Sequence, residues 1–146
     1  MTIDLKLVFV RYWMNRGDFQ KLTRERLKDA QSLLQKHRYS GAYYLCGYVV
    51  ECALKACIAK QTQQFDFPPD RKAVEAIYTH DLMKLIKSAG LEVVFREDRD
   101  KDKKLESNWG VVEGWKEASR YEEYDQKKLR IFIKQLQMKS MEFYYG

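Results

Sequence analysis

Ser40-Gly41-Ala42-Tyr43-Tyr44-Leu45-Cys46-Gly47-Tyr48-Val49-Val50-Glu51-Cys52-Ala53-Leu54-Lys55-Ala56-Cys57-Ile58-Ala59-Lys60 is the stretch that decides the fold. It contains no proline, and its apolar side chains leave hardly any polar side. The spacing predicts a helix from about Ser40 to Lys60, and a helix apolar nearly all round is central in a bundle or buried at a dimer interface. Glu51 and Lys55 are the only charges between Arg38 and Lys60. They stand at i and i+4 with the acid first, the favourable order. Charges on so apolar a helix must pair, reach its solvent edge or line a polar cleft.

The neighbouring segments also read as helices. Upstream, Gly17 punctuates the chain and Asp18 is a fair N-cap. Leu22, Leu27, Ala30, Leu33 and Leu34 form the stripe of a helix over about Phe19 to His37, and Arg38 to Gly41 connects it to the central one. Downstream, Phe65-Asp66-Phe67-Pro68-Pro69 breaks the chain. Asp70 can cap a short helix through Tyr78. Thr79 can cap another over His80 to Ala89, with Asp81 in its first turn and Gly90 as its stop. Arg96 to Ser107 carries five basic and five acidic residues and only Leu105 as an apolar one, which suits a solvated helix edge or loop. Trp109 and Trp115 anchor an aromatic-rich piece up to Tyr124. A last helix is expected over Asp125 to Phe143, with Leu129, Phe132, Ile133, Leu136 and Phe143 at bundle spacing. No hairpin signal occurs, so the expectation is all-α: an antiparallel, up-and-down bundle of four to five helices.

Composition agrees. The 146 residues fit one domain and can bury a core without disulfides or metals. Seven glycines and two prolines favour long helices over many tight turns. Residues 1–14 are ambiguous between strand and helix and are expected to be an N-terminal extension, with 15–146 the bundle. They lack the pattern of a secretory signal. Tyr39 to Val50 is uncharged for only twelve residues, short of a membrane span. Cys46 and Cys57 would stand about 16 Å apart on one helix, too far for a disulfide. Their spacing with Cys52 is wrong for helical metal ligation. A cytoplasmic location is the expectation, with no metal and no cofactor.

Net charge is +6, from 27 basic and 21 acidic residues. Nine basic side chains against four acidic ones fall within residues 1–40, a face that could attract phosphate but also reads as a solvated helix surface. His80 lies in Tyr78-Thr79-His80-Asp81-Leu82, where hydroxyl, imidazole and carboxylate are adjacent. At a helix start its ring could face a cleft in which N–H groups hold phosphate, or it could simply cap or bridge helices. Arg120 in Ser119-Arg120-Tyr121-Glu122 offers a planar fork, and Tyr121 and Trp115 offer rings, a combination suited to nucleotide or RNA. His80, Asp81, Trp115, Arg120 and Tyr121 are therefore the candidate nucleotide or RNA contacts, His80 and Arg120 the candidate catalytic pair, and Glu51 with Lys55 a candidate polar pair. The sequence contains no P-loop, G-x-G-x-x-G, H-E-x-x-H or C-x-x-C.

Glu25-Arg26-Leu27-Lys28-Asp29-Ala30, Leu33-Leu34 and Arg38 through Ala56 together resemble the HEPN domain of bacteria and archaea. Tyr78-Thr79-His80-Asp81-Leu82, Asn108-Trp109 and Ser119-Arg120-Tyr121 follow in the family's order. The resemblance, over about residues 15–125, implies an antiparallel helical bundle, usually a homodimer. It also implies nucleotide or RNA chemistry, often beside a small nucleotidyltransferase as a toxin–antitoxin pair. Many members are metal-independent RNases with an R-x4-6-H motif. That motif is absent: eight residues separate Arg71 from His80, ten separate Arg26 from His37, and no histidine follows Arg120. Two alternatives to a nucleotide- or RNA-binding protein stay open, a metal-independent RNase with a non-standard Arg/His site and a non-catalytic dimeric interaction module.

Overall fold

A computed structural model describes residues 14–61 and 71–137. They form α1 (Arg16–Gln35), α2 (Tyr39–Gln61), α3 (Arg71–Ile77), α4 (Leu82–Ser88), α5 (Glu92–Lys101), α6 (Lys103–Glu113), a 3-10 turn (Glu117–Tyr121) and α7 (Gln126–Leu136). No strand occurs among the described residues, as the all-α expectation requires. Residues 1–13, Asp70 and Phe143 lie outside them.

Helix ends differ from the sequence reading for local reasons. Asn15, not Asp18, caps α1: its side chain accepts from the Asp18 amide at 3.1 Å, and the Asp18 carboxylate accepts from the Asn15 amide at 2.9 Å. That reciprocal capping box lets the helix begin ahead of Gly17. At the other end the Arg38 amide reaches the Leu33 carbonyl and the His37 amide the Leu34 carbonyl. This is a Schellman stop, with His37 rather than glycine in the left-handed position at φ 57°. The Tyr39 hydroxyl meets His37 Nδ1 at 2.8 Å. Three residues thus join α1 to α2, and so short a link folds the two back along each other.

Asp81, not Thr79, caps α4, accepting from the Met83 and Lys84 amides at 3.0 and 3.1 Å. Thr79 Oγ1 instead accepts from the Asp81 amide. His80 therefore precedes the helix and is not part of its first turn. The charge-rich stretch 96–107, expected as helix edge or loop, belongs to two helices divided at Asp102. The Asp102 carboxylate accepts from the amides of Lys104 and Leu105, and Phe95 and Leu105 turn inward. Mixed charge hid the few buried positions that two short helices need. The last described helix ends at Leu136.

The core forms around α2. Ala42, Tyr43, Cys46, Val49, Val50, Leu54 and Ile58 join Ala30 of α1, Leu82, Leu85 and Ile86 of α4, Trp109 and Val112 of α6, and Leu129, Phe132, Ile133 and Leu136 of α7 in one buried cluster. Each large side chain fully buried there is worth about 1.5–3 kcal/mol. By length and composition α2 is apolar enough to cross a membrane, with a mean hydropathy of 1.3 over its best window. Burial inside this bundle accounts for that apolarity. It also removes the reason for expecting α2 at a dimer seam, because the chain's own helices cover it. Cys46 and Cys52 are buried. Burial pushes the Cys46 thiol up to about 12 and the Cys52 thiol up to about 11.

One close approach sets where the 3-10 turn sits. Gly47 lies against the Trp115 indole, and a Cβ there would overlap the ring. The indole Nε1 donates to the Tyr44 carbonyl at 3.1 Å. Gly110, in contrast, has open space where a Cβ would go. Gly47→Ala should destabilise by about 1–3 kcal/mol through overpacking. Gly110→Ala should stabilise by about 0.5–1 kcal/mol through backbone entropy. Chemical denaturation midpoints of the two variants should move in opposite directions.

Candidate functional site

A polar chain crosses one side of the bundle. It starts in α2, where Lys55 Nζ donates to Glu51 Oε1 at 2.7 Å. The Glu51 side chain is 5% exposed and that of Lys55 13%. The other carboxylate oxygen, Oε2, lies 2.9 Å from Nδ1 of His80. A buried acid is tolerable here because both oxygens have partners. The residue that looked like half of a simple i,i+4 pair is therefore the floor under His80.

His80 is half-buried, and its second nitrogen, Nε2, lies 3.6 Å from Glu117 Oε2. The other oxygen of Glu117 lies 3.4 Å from Nη1 of Arg120. His80 and Arg120, forty residues apart in sequence, therefore rest on the same carboxylate. The 3-10 turn achieves this by presenting Glu117 and Arg120 on one side at i and i+3. Lys116 and Ser119 hold the turn, with the Lys116 amide donating to Ser119 Oγ at 3.1 Å. Across the bundle, the Tyr124 amide donates to Ser40 Oγ at 2.9 Å, and the Tyr124 ring stacks on Tyr43.

The aromatic residues divide into two roles. Trp115 is buried, packs edge-to-face with Tyr48, and forms a wall of the cleft rather than an open stacking face. Tyr121 is 78% exposed, with the Arg120 guanidinium 4.9 Å above its ring. The Tyr121 phenol, and after it the Tyr44 phenol, raise the Arg120 pKa above its ordinary value. The Tyr44 and Tyr48 hydroxyls meet at 3.1 Å, and the Tyr48 ring lies edge-on to His80. Burial, and after it the bond to Tyr44, push the Tyr48 phenol up.

The cleft beside His80 is lined by Asp81, Leu82, Met83, Glu113, Trp115, Lys116 and Glu117. Asp81 is committed to capping α4 and enters the cleft as its rim. No group of three or more metal-ligating side chains occurs among the described residues. Sequence reading had singled out His80, Asp81, Trp115, Arg120 and Tyr121 as one set, and Glu51 with Lys55 as another. His80 joins the two sets. Glu117, which ties His80 to Arg120, was missed, as were Tyr44 and Tyr48. A signal for the tyrosines existed: Tyr44, Tyr48, Glu51 and Lys55 follow steps of four, three and four, one face of a helix.

Removing one member of the buried pair strands the other. Glu51→Ala leaves the Lys55 ammonium and the His80 ring without their acceptor and should cost about 3 kcal/mol. Lys55→Met keeps the His80 contact and the stem's packing and should cost clearly less. Urea denaturation of both variants checks the order.

The family model of the HEPN domain matches residues 19–140. No curated protein and no solved structure gives a match. The matched span runs from within the first turn of α1 through α7 and contains every residue of the polar chain, from Glu51 to Arg120. On the extent of this match, and with a helical bundle as its structure, the chain belongs to the HEPN domain family.

Proposed function

We propose that this HEPN-domain chain binds a nucleotide or RNA in the cleft between His80 and the 3-10 turn. The observation that carries the reading is the fixed histidine. A buried carboxylate, Glu51, holds Nδ1 at 2.9 Å, so Nε2 faces the cleft beside Glu117 and Arg120. Arg120 supplies a planar fork suited to phosphate, and Tyr121 an exposed ring suited to a base. The Glu117 carboxylate occupies the place a phosphate would take on Arg120. Its side chain is 43% exposed and free to turn outward. The Glu113 carboxylate, on the cleft wall, would accept from the amino group of a base.

The same histidine favours a second reading, a metal-independent RNase without R-x4-6-H. An imidazole held through Nδ1 by a buried acid is the arrangement a general base needs. Nε2 would take the proton of a ribose 2′-hydroxyl as that oxygen attacks phosphorus and the 5′-oxygen leaves. Arg120 would balance the charge gathering on the non-bridging oxygens. A mixed-sequence RNA incubated without added metal separates the readings. Binding without cleavage, weakened about tenfold or more by Arg120→Ala, supports the binding protein. Cleavage lost in both His80→Ala and Arg120→Ala supports the RNase. Folded variants that change neither binding nor cleavage would remove the cleft from consideration and leave the non-catalytic module.

The family supports a homodimer and, as partner, a small nucleotidyltransferase in a toxin–antitoxin pair. Cys46 and Cys52, buried thiols, suit the cytoplasm. Val93 and Val94 of α5, 55% and 43% exposed, are apolar side chains still available to an interface. Light scattering at tens of micromolar should give twice the chain mass, and a clean monomer would exclude the dimer.

A further inference from the structure

A second charged feature lies on the other side of α6. Lys104 and Asn108 of α6 face Gln126, Lys127, Arg130, Ile131 and Lys134 of α7 across a groove. On α7 the positions 127, 130, 131 and 134 share one face, opposite the buried Leu129, Phe132, Ile133 and Leu136. Lys104, Lys127, Arg130 and Lys134 are all exposed. No described carboxylate pairs with any of them. This contrasts with α1, where Arg26 pairs with Asp29 and Lys28 with Glu25. With the Gln126 amide swapped end for end, the orientation its neighbours favour, its oxygen accepts from Arg130 Nε at 3.0 Å and Nη2 at 2.7 Å.

We propose that this groove between α6 and α7 holds the sugar–phosphate backbone of single-stranded RNA. Four cations and two side-chain amides line it, with no acid and only Ile131 as an apolar member. Backbone binding needs that chemistry: positive charge to displace counterions and amide donors for phosphate or sugar oxygens. A protein partner would need a cluster of apolar or aromatic anchors at the centre of its interface, and this lining offers Ile131 alone and no aromatic side chain. Packed helices stand about 8–10 Å apart, so the trough between them suits one strand rather than a duplex. Lys127 to Lys134 spans about 10 Å along α7, room for more than one phosphate.

The proposal shares the RNA reading above but not its site. Asn108 and Glu113 are five residues apart on α6, which places groove and His80 cleft well around the helix from each other. Each can be altered without touching the other.

The test is fluorescence anisotropy with a labelled, mixed-sequence 20-mer RNA over a salt series, with AMP and polyglutamate as further probes. The variant is Lys127→Gln with Arg130→Gln and Lys134→Gln, all on the solvent face. Its RNA affinity should fall about tenfold or more at 0.15 M salt. Its log–log salt slope should become shallower by about 2, since each neutralised phosphate on a single strand contributes about 0.7. AMP binding, if present, should not change. An unchanged affinity and slope would overturn the groove. So would polyglutamate binding as tightly as RNA and lost in the same variant, which would mark an acidic protein as the occupant. RNA binding that depends on the groove but not on Arg120 or His80 would uphold the groove and reject the cleft. Nucleotide binding that needs Arg120, with an RNA affinity indifferent to the groove, would do the reverse.

Discussion

A carboxylate buried in the middle of the most apolar helix is the constraint on which the site depends. Glu51 could not sit at that depth alone, since desolvating an unpaired charge costs several kcal/mol. Lys55 answers one oxygen from the same helix and His80 the other from the connection before α4. One side of this solution is local and available to any helix. The other fixes the path of a distant piece of chain. Meeting the electrostatic demand of α2 therefore also orients an imidazole at the mouth of a cleft.

The second anchor is steric. Gly47, one turn before Glu51, leaves the gap that Trp115 fills, and the indole N–H closes onto the Tyr44 carbonyl. With Trp115 seated, the residues after it have little choice of course. Glu117 and Arg120 arrive beside His80, and Tyr124 is drawn onto Tyr43 before α7 begins. Packing and polar pairing thus cooperate on one side of α2. The tryptophan is a structural wall, and the exposed aromatic duty passes to Tyr121.

Charge is distributed less evenly than its total suggests. On α1 Arg26 pairs with Asp29 and Lys28 with Glu25, and on α6 Lys103 pairs with Glu106, all at i,i+3. Such exposed pairs contribute little stability, yet they cancel the field locally. The outer face of α7, with Lys104 opposite it, has no such cancellation among the described residues. The excess positive charge that sequence counting assigns to residues 1–40 thus overlooks the place where cations converge in space.

The amino-acid sequence by itself determined the all-α class, the two long helices and their approximate ends, and the core positions of α7. These follow from periodicity and from residues that cannot continue a helix, both local properties. It also marked Glu51, Lys55, His80, Arg120, Tyr121 and Trp115 as unusual, because each is a chemically demanding side chain in a setting that predicts its type poorly. Only the tertiary structure decided that these form one chain of contacts, that Glu117 bridges His80 to Arg120, and that Lys104 faces α7. Contacts between residues tens of positions apart depend on helix crossing and on the exit angle of short connections. Those are set by caps such as Asn15, Asp81 and Asp102 and by one glycine's missing Cβ. A displacement of one residue in a cap rotates a helix by about 100°, so faces stay undetermined until the whole bundle packs.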